Sequence, residues 1–225
     1  MEYQRMKLYQ VPGACSTASR IVLEEAAIPI DLANVDLRSK ILEDGTSYLD
    51  VNPKGQVPAL VLDDGQILTE AAVIMQYVAD QAPASGLLPP PGNFARYRVL
   101  EWTNYIATEL HKTFSPLNRP NTPAEYRDQT RAMFLPRVFG VLDARLADSS
   151  YLAGETFTIA DAYAFVVLGW AKKVELDLSA WPRTPISSGS ASVPRCKRSY
   201  RAFRAIDQWG VAASKGLTAD IPGGD

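Results

Sequence analysis

The run from Pro83 to Gly92 constrains this chain more than any other feature. It is rich in Pro, Gly and Ser and contains Pro89-Pro90-Pro91, so no regular element can continue through it. The hydrophobic pattern changes across it. Residues 6–82 read as alternating strand and helix, then a hairpin, then a helix from Glu70 to Gln81. From Asn93 onward the pattern is helical. The expected fold is therefore α/β plus all-α: a small mixed-sheet domain (6–83), a linker (84–92) and a helical-bundle domain (93–182). A chain of 225 residues is long enough for both parts to bury a core without staples.

In the helical part, Asn93 suits an N-cap. Val99, Trp102, Ile106, Leu110 and Phe114 recur every three or four residues as a core stripe, and Glu101, Asn104, Thr108 and His111 line another face. A solvated surface is the ordinary reading of that second face. Thr158-x-x-Asp161 forms a capping box that should start a buried helix, a structural role worth about 1 kcal/mol or more.

Composition excludes several functions. The net charge of −2 and pI near 5.5 give no global basic field for nucleic acid or anionic membrane. The apolar stretch Ala162–Ala171 is too short to span a bilayer. The beginning of the chain lacks the apolar core of a signal peptide, which makes a cytoplasmic protein the expectation. One His and two distant Cys make no ordinary closed zinc site, and neither a G-x-G-x-x-G nor a Walker A run is present, so neither a metal nor a nucleotide is expected.

Cys15 carries the chemistry. It stands in Val11-Pro12-Gly13-Ala14-Cys15-Ser16, between a strand-like run (Lys7 to Gln10) and an amphipathic stretch (Thr17 to Ala27). A helix N-terminus there would favour the thiolate, although a buried structural cysteine also fits such a position. Downstream, Val57-Pro58 opens an apolar strand and is a candidate cis peptide, which would turn the Val57 backbone toward a ligand. Asp63-Asp64-Gly65 signals a hairpin turn. Thr69 is expected to cap the helix beginning near Glu70, whose N-terminus suits a carboxylate. Three loops thus converge at one end of a small sheet.

The turn Pro12-Gly13-Ala14-Cys15-Ser16, the run Asn52-Pro53-Lys54-Gly55-Gln56-Val57-Pro58 and Leu68-Thr69-Glu70 together resemble the thioredoxin-like half of bacterial beta-class glutathione S-transferases. Tyr97–Trp102, Glu109-Leu110-His111-Lys112, Ser115-Pro116-Leu117 and Phe157–Ala162 resemble that family's helical half. The resemblance implies glutathione as co-substrate and a small electrophilic partner. Val57, with Pro58 following it, would pair its backbone with the cysteinyl backbone of glutathione. Glu70 would take the γ-glutamyl ammonium, the N-terminus at Ala71 that residue's carboxylate, and Lys40 the glycyl carboxylate. Cys15 and His111 would be the catalytic pair, His111 positioning a thiol or accepting its proton, with Asn104, Glu109 and Lys112 along the same cleft. The family also implies a homodimer. Ser19-Arg20 replaces the family's usual Pro-His, and Ala71 replaces Ser or Gly.

Conjugation of the glutathione thiol to small electrophiles, aromatic or halogenated ones among them, is the leading functional expectation. A thiol–disulfide reductase or reductive dehalogenase using Cys15 is the enzymatic alternative, and a non-catalytic glutathione-binding protein or defective gene product the other. The last arises from residues 183–225, where the pattern departs from the family after Trp181-Pro182. Shifting the frame by one nucleotide across Val193–Ser199 can yield Arg-Pro-Ala-Leu-Gln-Ala-Leu, which resembles the family's closing helix. A frameshift near Arg183 is therefore expected.

Overall fold

The computed structural model describes residues 6–183. Strand β1 (Lys7–Gln10) leads into helix α1 (Ser16–Glu25), strand β2 (Asp31–Asn34), a long loop with a 3-10 turn at Tyr48–Asp50, and the hairpin β3 (Ala59–Val61) and β4 (Ile67–Thr69). The sheet order is β2-β1-β3-β4, with β1 parallel to β2 and the other pairs antiparallel. Gly65, at φ +82°, turns the hairpin as the Asp-Asp-Gly signal predicts. Pro58 sits just before β3, where its missing N–H breaks no ladder, and the Val57–Pro58 bond is cis. Helix α2 (Ala71–Gln81) closes this half.

The helical half comprises α3 (Phe94–Tyr105), α4 (His111–Asn118), α5 (Ala124–Gln129), α6 (Leu135–Ala147) and α7 (Ile159–Lys173). Asn93 caps α3 by accepting from the Ala95 N–H, as expected. Helix α7 is the central element: it packs against α1 and α2 of the sheet half and against α3 of its own. One continuous apolar core therefore runs from Leu8 through Val22 and Ile74 to Leu142 and Val167. A smaller cluster, Val35, Tyr48, Val57 and Ala59, lies under the loop ahead of β3.

A π-helical segment, Ile106–Leu110, joins α3 to α4. One extra residue in a turn rotates the next helix by roughly 100° relative to a straight α-helix. Val99, Ile106, Leu110 and Phe114 are buried as expected, but Trp102 is only half-buried and Thr103 is buried beside it. Glu101, Asn104 and Thr108 are exposed while His111 is half-buried.

The capping box at α7 is complete. Asp161 accepts from the backbone N–H of Leu152 at 2.8 Å, the N–H of Thr158 at 2.9 Å and the Thr158 hydroxyl at 2.8 Å. At the end of the described residues, Trp181 stacks on Phe139 and Arg183 pairs with Asp143 of α6. Beyond Arg183, the altered tail of 183–225 lies outside the described residues, and with it Val193–Ser199, on which the inferred frameshift rests.

Candidate functional site

Cys15 lies at the start of α1, and its Sγ–H donates to the Val57 carbonyl at 3.3 Å. The turn that presents it is held by side chains. The Ser16 hydroxyl accepts from the Val11 N–H at 3.0 Å and donates to the Val11 carbonyl at 3.1 Å, and the Thr17 hydroxyl accepts from the Gly13 N–H at 2.9 Å. The opposing segment is held in the same way. The Gln56 carbonyl accepts from the Tyr48 hydroxyl and the Asn52 amide, both at 2.7 Å, which fixes the backbone just before Val57.

Burial disfavours the expected thiolate in the free protein. Burial pushes the Cys15 thiol up to about 11, against the backbone N–H groups of Ser16 and Cys15, which favour the anion. The Glu70 carboxylate pushes the same way as burial, and the Lys112 ammonium opposes it. Desolvation outweighs the helix N-terminus here, which corrects the expectation drawn from position alone.

Thr69 does not cap α2. It ends β4, and its hydroxyl accepts from Lys54 Nζ at 2.9 Å. Glu70 occupies the N-cap position at φ +69° and provides no side-chain cap; its carboxylate instead accepts from Lys54 Nζ at 2.8 Å in an exposed ion pair. The N-terminus of α2 at Ala71 is thus left without a side-chain cap. Lys40, also in the left-handed region at φ +60°, donates from Nζ to the Gly55 carbonyl at 2.7 Å. A Cβ at Gly55 would lie 3.1 Å from Leu49 and 3.4 Å from the Lys40 side chain, so a glycine lets Lys40 lie across this loop.

From the helical half, α4 presents His111 and α7 presents Tyr163 and Trp170. His111 Nδ1 and the Tyr163 hydroxyl are 2.8 Å apart. The Trp170 ring meets the imidazole edge-on at 4.9 Å, and its Nε1–H donates to the Gly13 carbonyl at 2.8 Å, two residues before Cys15. Burial drives His111 down to about 4, helped by the positive charge of Lys112, so the imidazole is neutral at physiological pH and a weak base. The Tyr163 hydroxyl is pushed up by burial and then by the nearby Cys15 and Glu70.

The structure thus brings Cys15, Val57, Glu70, His111 and Lys112 into one region, and joins to it Tyr163, Trp170 and Lys54, which sequence reasoning had not assigned. Asn52 and Lys54 were visible inside the Asn-Pro-Lys-Gly-Gln run. Tyr163 and Trp170 lay hidden in a stretch that read as plain core. The Glu109 carboxylate pairs with Arg137 of α6 at 3.1 Å. Asn104 is exposed, and its carbonyl accepts from the Thr108 hydroxyl. Among the described residues, no cluster of His, Cys, Asp and Glu could hold a metal ion, and no helix is long and apolar enough to cross a membrane.

An enclosed thiol beside a carbonyl, an uncapped helix start carrying a carboxylate, and a neutral imidazole can hold a thiol-bearing zwitterionic peptide. Residues 13–81 match the family model for the N-terminal domain of glutathione S-transferases, and residues 105–188 that for the C-terminal domain. Glutathione S-transferase GstA of Escherichia coli O157:H7 is 54% identical over 173 residues, covering 77% of this chain and 86% of that protein. The chain resembles the solved structure of a sphingomonad glutathione S-transferase complexed with glutathione (38% identity, TM-score 0.83, 89% of this chain and 98% of that one). It likewise resembles a bacterial beta-class glutathione S-transferase from Sphingomonas chungbukensis (37% identity, TM-score 0.82, 91% and 99%).

Proposed function

Because the chain belongs to the glutathione S-transferase family, we propose that it joins the thiol of glutathione to small electrophiles, in the manner of the beta class. The observation that carries this reading is the convergence on one region of Cys15, the Val57 backbone and Glu70 from the sheet half and the neutral His111 from the helical half.

The roles come from the chemistry of each group. Val57, just before the cis-bonded Pro58, offers backbone hydrogen bonds to the cysteinyl residue. Glu70 takes the γ-glutamyl ammonium once Lys54 releases it, and the free N–H groups at Ala71 take the adjoining carboxylate. Lys40 and Lys112 supply positive charge for the rest of the peptide, Lys40 toward the glycyl carboxylate. Asn104 stands on the exposed face of α3 as a further contact. Glu109 contributes at most indirectly, through its ion pair. In the reaction, the glutathione S–H proton leaves to solvent. The sulfur lone pair then forms the new carbon–sulfur bond, and a leaving group such as halide departs with the bonding pair. Cys15 and His111 surround that sulfur.

Residues 6–83 then form the glutathione-binding domain, 84–92 the linker and 93–182 the domain that walls the electrophile side. A homodimer is supported by apolar side chains exposed on α2 and α3, among them Val73, Phe94 and Tyr97. A reducing cytoplasm suits an unpaired Cys15. Thiol–disulfide exchange or reductive dehalogenation through Cys15 is the weaker reading, because a thiol pushed up to about 11 is a poor nucleophile at neutral pH.

The test is retention on immobilised glutathione followed by conjugation to a chlorodinitroarene, with intact mass measured with and without reductant. Retention with turnover that survives Cys15→Ser supports conjugation. Turnover of disulfides, lost with Cys15→Ser together with a reductant-sensitive adduct, would move the assignment to thiol exchange. Saturable binding without turnover would leave a binding protein.

A further inference from the structure

We propose that Tyr163 is a positioning residue: its hydroxyl donates to Nδ1 of His111 and holds the imidazole as the Nε2–H tautomer, so that an N–H, and not a lone pair, is offered to the sulfur of glutathione. This rests on the proposed glutathione chemistry and deepens it, by making His111 a hydrogen-bond donor to the thiolate where the sequence suggested a proton acceptor.

The direction of the hydrogen bond is set by what each group needs. Tyr163 is 4% exposed, and His111 Nδ1, at 2.8 Å, is the sole hydrogen-bond partner of its hydroxyl among the described residues. If Nδ1 carried the proton, the phenolic oxygen would accept it and the buried O–H would have no acceptor. With Tyr163 as donor, both groups are satisfied and Nε2 must carry the ring proton. A lone pair at Nε2 would repel a thiolate, whereas an N–H stabilises it.

The ring is fixed as well as protonated in one way. Trp170 meets it edge-on at 4.9 Å and is itself tied to the Gly13 carbonyl, and Tyr163 meets it edge-on at 5.9 Å. Orientation of the imidazole is thereby tied to the loop that carries Cys15. The charged and titratable groups acting on this pair are Lys112 beside His111, Cys15 at the start of α1 and Glu70 at the start of α2. Burial keeps His111 neutral, which a tautomer-dependent role requires.

The chain contains one histidine, so histidine labelled with nitrogen-15 gives the two ring nitrogens of His111 alone. Nitrogen chemical shifts in the ligand-free, wild-type protein near neutral pH should show the proton on Nε2. In Tyr163→Phe the tautomers should mix. The pH midpoint for glutathione conjugation should rise by about one unit, with kcat about tenfold lower and the glutathione KM within about twofold. A purely structural tyrosine would move neither the tautomer nor the midpoint. A proton on Nδ1 in the wild-type protein overturns the proposal, and this reading holds even where Tyr163→Phe does not fold. An unchanged tautomer and midpoint in a folded Tyr163→Phe overturns it too. Since the tautomer is read without ligand, absence of conjugation in a wild-type protein with Nε2–H would strike the functional reading and leave the Tyr163 hydrogen bond standing.

Discussion

Two kinds of helix start in this protein receive opposite treatment. Helix α7 begins with its donors satisfied: Asp161 and Thr158 bond each other and the backbone, and Asp161 also accepts from the Leu152 N–H. Helices α1 and α2 begin at Cys15 and Glu70 with no side-chain cap, and Glu70 turns its carboxylate outward to Lys54. The closed start ties α7 to the loop at Leu152 within the helical half, and the open starts leave backbone donors for which a ligand can supply acceptors. At these starts the use of the acidic side chain differs more than its type, since Asp161 turns inward to the backbone and Glu70 outward to Lys54.

The comparison can be pressed hardest at Cys15. An open helix start alone would lower the thiol pKa, but burial dominates. Alkylation of Cys15 near neutral pH should be roughly a hundredfold slower than that of a free cysteine, and should still be rising above about pH 9. A rate plateau near neutral pH would show that the open start prevails.

At the closed start, Asp161→Ala leaves two buried backbone N–H groups unpaired. Chemical denaturation should show a loss of about 3 kcal/mol with the Cys15 environment intact. A loss below about 1 kcal/mol would place the capping box among ordinary surface caps.

His111, which faces the open starts, adds a pH signature. Its folded-state pKa, about 4, lies below its unfolded value near 6.5, so the unfolded chain binds more protons between them. Stability should fall as pH drops through that window, by up to about 3 kcal/mol, and His111→Asn should flatten that part of the curve. Unfolding midpoints measured across the window check this.

Glu70→Gln removes a charge from an open start. Glutathione affinity, measured by calorimetry, should weaken by roughly tenfold with little change in stability. Smallest of all, Lys54→Gln breaks an ion pair whose partners are more than half exposed, and should change stability by about 0.5 kcal/mol or less. A larger loss would mean that α2 depends on that pair for its start.

Much of the fold was legible because its signals are local. The Pro-rich run, the Asp-Asp-Gly turn, the Asn93 cap and the Thr158–Asp161 box each specify backbone geometry within a few residues, and β1 lies where its pattern predicts. The errors arose where local signals compete. Thr69 is a good cap former, but pairing of β4 with β3 holds it in the sheet. Glu109 came from the resemblance alone, which carries no information on the ion pair that Arg137 makes with it from another helix. Position could locate Cys15 but not its ionisation, which depends on how much solvent the folded halves exclude. Tyr163 and Trp170 could not be assigned at all, since an aromatic residue in an apolar helix looks the same whether its polar tip is used or idle.

The bond from Trp170 to the Gly13 carbonyl spans 157 positions of the chain. During synthesis at roughly 5–20 residues per second, Gly13 waits about 10–30 s for that partner to be made. Through that interval the nascent chain already carries its thiol, and the sheet half can assemble around it, but the clamp on its loop does not yet exist. A chain interrupted before α7 would leave the ribosome with a cysteine and no setting for it. Translation itself therefore withholds the finished site until the central helix of the second half has been delivered.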